Sequence, residues 1–298
     1  MRQGDVVGLI APGSSVSPGA IDLSVKAIEK MGFNVVLGKA CVGSDLDIEG
    51  IRFNDEARAL DIMEMFLDES VSGVLALRGG YGSGRVLDLL DYGIIRRNKK
   101  PLFGYSDITA LHIALAQGAG SQTYHMPMPV TEFNGGVDGF TMDYLMRCLC
   151  EVKPFGVIEN PPGKPMRTLV GGKCEGVLVG GNLAVITSLL GTPYEINTKG
   201  RVLFLEDVDE PLYKIDRMLL QLRMAGKFRD CAGVIFGSFT NNGEEISDGL
   251  LAGVFNGLCK NKPLIYGLAC GHCLPTVSLP FGKLVFVDAD KQIIHVVE

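Results

Sequence analysis

The sequence predicts an α/β protein in two domains, and three observations carry that reading. Through the first half of the chain, apolar runs of strand length alternate with stretches of helical period, the pattern of a parallel sheet with helices on both faces. The length, 298 residues, is enough for two domains with cores of their own. Residues 153–165, KPFGVIENPPGKP, hold four prolines and two glycines, a composition that suits a linker. The expected division is therefore 1–152, a linker at 153–166, and 167–298.

Taken in order, residues 5–11 read as a strand ending in a Pro-Gly-Ser turn, 20–31 as a helix stopped by Gly32, and 33–37 as a second strand. Asn54 is placed to cap a helix whose apolar positions include Leu60, Met63 and Leu67. Residues 74–77 form a strand, RGGYGSG a loop, 86–95 a helix and 137–150 another. In the second half, 174–179, 202–206 and 232–236 are strand-like, 212–224 and 249–259 helical, and 283–288 with 292–297 a hairpin around DADK.

Composition narrows the function. Hydrophobic residues at 47% and charged ones at 21% are ordinary for a globular chain. A formal net charge of −6 without a Lys/Arg run argues against a nucleic-acid surface. The apolar run near the N-terminus is too short for a signal-peptide core, and no stretch approaches the ~20 apolar residues of a membrane span, so no membrane partner and a cytoplasmic location are expected. The eight cysteines lie in largely apolar settings and read as buried small hydrophobes.

Four motifs could carry chemistry. In PLFGYSDITALH, Ser106 stands between an apolar run broken by Gly104 and a helical pattern through Ile108, Leu111 and Leu115. On its own the stretch favours a helix N-cap, although a strand-to-helix turn is also how hydrolases lift a serine oxygen out of a sheet. LRGGYGSGRVLDLL is a strand, glycine loop and helix, yet neither GxGxxG nor a G-K-[S/T] fits it. Its amides, at Gly79 and Gly80, suit an oxyanion or a carboxylate, with Arg78 as a cationic anchor; a closely packed glycine turn explains it equally well. In RVLFLEDVDEP, Glu206 is the first acid after the apolar run and needs a partner if buried, whereas Asp207, Asp209 and Glu210 fit a solvated loop better than a metal site. CGHC at 270–273 has the spacing of a redox dithiol, but no helix is signalled after it. His272 is the histidine in a glycine-flanked loop.

Together they give a serine, an acid and a histidine in the order Ser106, Glu206, His272. That is the chain order of α/β-hydrolase triads, though Ile108 stands where a G-x-S-x-G elbow needs its second glycine. From GLIAPGS, LRGGYGSGRVL, GYSDITALH, GGNLAVITSLLGT and LFLEDVDEPLYKIDRML to Gly271-His272 and the final LPFG, the sequence resembles the LD-carboxypeptidases, serine peptidases that include murein tetrapeptide carboxypeptidases and microcin C self-immunity proteins. The resemblance covers almost the whole chain. It implies Ser106 as nucleophile, His272 as base, Glu206 as orienting acid, and an oxyanion hole from the amides of Asp107 and the Gly79-Gly80 loop. It further implies a flavodoxin-like first domain carrying the serine, a smaller β/α second domain carrying acid and histidine, and a homodimer. Cysteines flanking the histidine depart from the family motif.

The expected activity is release of a terminal D-amino acid from an L–D peptide bond of a muropeptide, with no metal or cofactor. Alternatives are an immunity-type amidase cleaving a peptidyl-nucleotide, a redox protein using Cys270 and Cys273, or a phosphate-binding module using the loop from Gly79 to Gly84.

Overall fold

The computed structural model of the chain describes residues 1–42, 47–48, 51–150, 155–259 and 261–297. It divides into two compact units, Met1–Glu151 and Val152–Glu298, the second shorter by only a few residues.

In the first unit, the strands Val6–Ile10, Asn34–Leu37, Val71–Ala76, Leu102–Gly104 and Thr123–His125 pair in parallel, in the order second, first, third, fourth, fifth. This is the arrangement of flavodoxin-like sheets. Parallel strands are covered on both faces, so their sequences are apolar nearly throughout. Val7, Leu9, Ile10, Val74, Leu75, Leu102 and Phe103 are all essentially inaccessible to water. Helices Pro18–Lys30, Asp55–Leu67, Thr109–Ala119 and Gly139–Cys150 supply the cover. The first begins where the sequence specifies it: Ser17 Oγ accepts the Ala20 N–H at 3.3 Å, and Pro18 needs no donor there.

The single helix expected at 86–95 is instead a 3₁₀ segment, Ser83–Leu89, followed by a separate helix, Tyr92–Arg97. Asp91 divides them, because its carboxylate accepts the Ile94 N–H at 2.9 Å and so starts a new helix rather than continuing the old one. In open α/β sheets, ligands collect beyond the carboxyl ends of the strands. The segments leaving the first, third and fourth strands, 11–14, 77–83 and 104–107, occupy those ends here.

The second unit is built on a mixed sheet. Its parallel centre runs Lys173–Asn182, Val202–Asp207, Gly233–Asn241, Leu264–Tyr266. The hairpin Leu284–Asp288 and Ile293–Val297 adds antiparallel strands on one side, and Arg167–Val170 caps the other. Phe255, near the end of helix Asp248–Phe255, stacks on Phe236 with ring centroids 3.8 Å apart and anchors that helix to the sheet. Part of the Pro-rich stretch expected as a linker is sheet: Gly156–Ile158 pairs with the last strand, Ile158 opposite Ile294. Pro161, Pro162 and Pro165 stand outside that strand, where no ladder donor is needed; residues 153 and 154 lie outside the described residues. A helix at Leu183–Ser188 was not signalled by periodicity, since LAVITS is apolar on every side; Asn182 caps it by accepting the Val185 N–H at 3.1 Å.

Candidate active site

Ser106 lies in the first unit, in the turn between strand Leu102–Gly104 and helix Thr109–Ala119. Its backbone is left-handed, φ +63°, a conformation costly to a residue with a Cβ. The N-cap reading does not hold, because neither the 3₁₀ turn Ser106–Ile108 nor the helix after it has a side-chain cap bond. The turn is braced by its neighbours. Buried His112 reaches back from the helix with Nε2 2.9 Å from the Gly104 carbonyl oxygen, and Tyr105 donates its hydroxyl to Glu132 at 2.7 Å. Full burial lowers the His112 pKa to about 4, so the ring is neutral and its Nε2–H is the donor.

The glycine loop packs directly on this turn. A Cβ on Gly79 would stand 3.0 Å from Ser106 Cβ and 3.2 Å from the Asp107 nitrogen, closer than nearly any side chain is found. A side chain here would have to push the Ser106 turn back by a few tenths of an ångström. Ser14 ties in the segment after the first strand: its N–H donates to the Gly79 carbonyl at 3.0 Å, and its Oγ accepts the Tyr81 N–H at 3.1 Å. Arg58, fully buried, donates to the Pro12 carbonyl and, at 3.1 Å, to the Gly82 carbonyl, and pairs with Asp55. The Asp107 carboxylate is buried and accepts the Ser83 N–H at 2.8 Å. Burial pushes its pKa up, opposed by the Ser83 hydroxyl and N–H, the Gly82 N–H and the Arg58 charge. Nearby, Arg78 holds its Nε buried without a hydrogen-bond partner among the described residues.

Glu206 and His272 lie in the second unit, and the structure brings them together. Glu206 is the penultimate residue of the central strand Val202–Asp207, and its fully buried Oε2 is 2.7 Å from His272 Nδ1. Gly271 makes that contact fit. Its φ is +113°, and a Cβ there would stand 2.6 Å from Glu206 Oε2. The next acid is also buried rather than solvated as the sequence suggested. Asp207 accepts from Asn182 Nδ2 at 2.8 Å and from the Ala184 N–H at 3.0 Å. Burial and then the Glu206 charge push its pKa up to about 7. Asp209 is spent on the turn that follows strand Gly233–Asn241, accepting the Gly243 N–H at 2.7 Å. Among the described residues, no group of three His, Cys, Asp or Glu side chains could hold a metal ion.

The CGHC stretch is a loop with no helix opening on it. Neither cysteine is in a disulfide; Cys270 is fully buried, and Cys273 lines a cavity of about 230 Å³ with Ser238, Lys164 and Arg167. Burial pushes the Cys273 thiol up to about 11, the opposite of the lowered value that a redox dithiol uses. Nor is any helix among the described residues long and apolar enough to cross a membrane.

The sequence models of the LD-carboxypeptidase N-terminal and C-terminal domains match residues 7–126 and 175–287. The chain belongs to the LD-carboxypeptidase family. It is a hydrolase family, and the two matched regions fall one in each unit. Among curated relatives, this LD-carboxypeptidase is 38% identical over 303 residues to a probable murein peptide carboxypeptidase of Bacillus subtilis, covering 98% of this chain and 91% of that one. Among solved structures, an MccF-like protein of Bacillus anthracis superposes with a TM-score of 0.90 at 28% identity, covering 100% of this chain and 98% of that one. A muramoyltetrapeptide carboxypeptidase from Oxalobacter formigenes does so with 0.81 at 28% identity, covering 98% and 97%.

Proposed function

We propose that the protein is a serine carboxypeptidase that hydrolyses an L–D peptide bond in a murein tetrapeptide and releases the terminal D-alanine. The observation that carries this is the His272–Glu206 bond of 2.7 Å, in which a fully buried carboxylate holds Nδ1 of a partly exposed imidazole. That arrangement fixes the tautomer with Nε2 unprotonated, ready to take a proton, and supports the charge that follows. Ser106 is the nucleophile. His272 takes its proton as Oγ attacks the scissile carbonyl, then gives that proton to the departing amine; water repeats the sequence on the acyl-enzyme. The amides of Asp107 and of the Gly79-Gly80 loop receive the oxyanion, and Arg78 pairs with the terminal carboxylate of the substrate. No step calls for a metal or cofactor.

The murein substrate rests on the Bacillus subtilis relative and the Oxalobacter formigenes structure. A peptidyl-nucleotide is the competing acyl donor, the substrate that the resemblance to the microcin C self-immunity proteins implies. Purified enzyme supplied with each compound decides between them. The proposal expects D-alanine from the muropeptide, covalent labelling of Ser106 by a fluorophosphonate, and loss of both in Ser106→Ala. Preferential cleavage of the nucleotide conjugate would reassign the substrate while leaving the serine chemistry in place.

A further inference from the structure

The Asp107 side chain is buried and hydrogen-bonded to the glycine loop, while its own backbone N–H is proposed to receive the oxyanion. One oxygen takes the Ser83 N–H at 2.8 Å, and the same oxygen would stand 2.9 Å from a Cβ on Gly13. It therefore touches two segments at once: the end of the glycine loop and the segment after the first strand. Arg58 grips the same two segments through the Pro12 and Gly82 carbonyls. A buried cation and a buried anion thus bind the same two segments beneath the loop, the anion through the Ser83 N–H and the cation through two backbone carbonyls beside its pair with Asp55.

We infer that the Asp107 carboxylate is a positioning residue for hydrolysis, holding the glycine loop against the Ser106 turn so that the amides of both converge on one oxyanion. The inference rests on the proposed hydrolase reading for what the amides do; the holding itself stands on the bond to Ser83. An oxyanion hole works only if its donors are fixed before the charge develops, since donors that must reorganise return much of the gain. Losing one donor costs about 10²–10³ in kcat, and losing the anchor that places a donor should approach that figure.

The experiment compares Asp107→Ala and Asp107→Asn with the full-length wild type. Hydrogen exchange of the amides at 79–83 should rise at least tenfold in the alanine variant. The asparagine variant keeps an acceptor oxygen at the same reach and should exchange more slowly than alanine. In turnover, Asp107→Ala should lower kcat about a hundredfold with KM within threefold, and Asp107→Asn should recover at least a tenth of the wild-type kcat. Unchanged exchange at 79–83, or an equal loss in KM and kcat, overturns the inference. Should the wild type hydrolyse no L–D peptide, the hydrolase reading fails by itself, and the exchange measurement still decides whether Asp107 holds the loop. If Asp107→Ala does not fold, the asparagine variant carries both readouts: slowed turnover with faster exchange supports the inference, and wild-type values in both reject it.

Discussion

His272 Nδ1 and Glu206 Oε2 stand 2.7 Å apart, with the carboxylate at 0% side-chain exposure and the imidazole at 18%. The strand Val202–Asp207 fixes the acid in the sheet, while the histidine sits on a loop and meets it through this contact. A buried carboxylate with so few partners is costly unless the charge is used. Glu206 Oε1 has no hydrogen-bond partner among the described residues, so the side chain is committed to the histidine through its other oxygen.

Removing either member should therefore be severe and non-additive. Glu206→Gln is expected to lower kcat by about 10³–10⁴, as a wrong tautomer does in a serine triad, and His272→Ala by a similar amount. The double variant should be no worse than the weaker single, because the two act as one unit. Additive losses would mean they act separately.

Gly271→Ala should disturb the same pair from the backbone. Its Cβ would lie 2.6 Å from Glu206 Oε2 at φ +113°, so either the loop or the acid must move. A fall of at least about a hundredfold in kcat is expected. Gly253→Ala is the contrast: that glycine lies inside helix Asp248–Phe255, with open space around its Cβ position. It should leave kcat unchanged and stabilise the protein by about 0.5–1 kcal/mol, read by denaturant unfolding.

Asp207 gives a pH signature. Its carboxyl, with a pKa pushed up to about 7, gains charge as pH rises through neutrality, next to Glu206 and with Glu210 adding to the negative field. More negative charge at the acid favours the protonated imidazole of His272. Replacing Asp207 by Asn removes that charge, so the acid limb of kcat/KM should move to lower pH. A midpoint that stays put, or moves up, rejects the coupling.

His112 predicts acid sensitivity of the fold. The pKa falls from 6.5 to about 4 through burial, so the unfolded chain binds the proton more tightly than the native one. The stabilisation is fully present above pH 6.5 and is lost as pH falls through 6.5 towards 4. The whole loss is about 3 kcal/mol. Melting curves of His112→Gln should show a shallower decline over that window than the wild type.

Cys270→Ser with Cys273→Ser should leave turnover largely intact while lowering the melting temperature, because a hydroxyl replaces a fully buried thiol at position 270. Activity lost in the pair but kept in His272→Ala would restore the dithiol reading.

Much of the fold was legible because its strands are buried on both faces: runs such as VLFLE and VVGLI can hardly be anything else. The short strands escaped. Thr123–His125 and Gly156–Ile158 have three residues each, and their places are set by pairing partners far along the chain, not by local pattern. At the site, residue types and order pointed to Ser106, Glu206 and His272, whereas Ser106 on its local stretch alone read as a cap. The left-handed turn that corrects this depends on Gly79 packing against it, a contact between segments almost thirty residues apart. The burial of Asp207 was hidden for a similar reason. Its partners Asn182 and Ala184 come from the neighbouring strand end, so a run of acids that looks solvated is partly interior.

The φ of +63° at Ser106 has a consequence that needs no substrate to observe. At this position alanine keeps the strain, whereas glycine releases about 1 kcal/mol of it. Ser106→Gly should thus be more stable than Ser106→Ala, inverting the order found at an ordinary helix-facing serine. A thermal scan comparing the two replacements at each of the described serines would then flag residue 106, the one among them with a left-handed backbone, as a place where the chain gives up stability for something else.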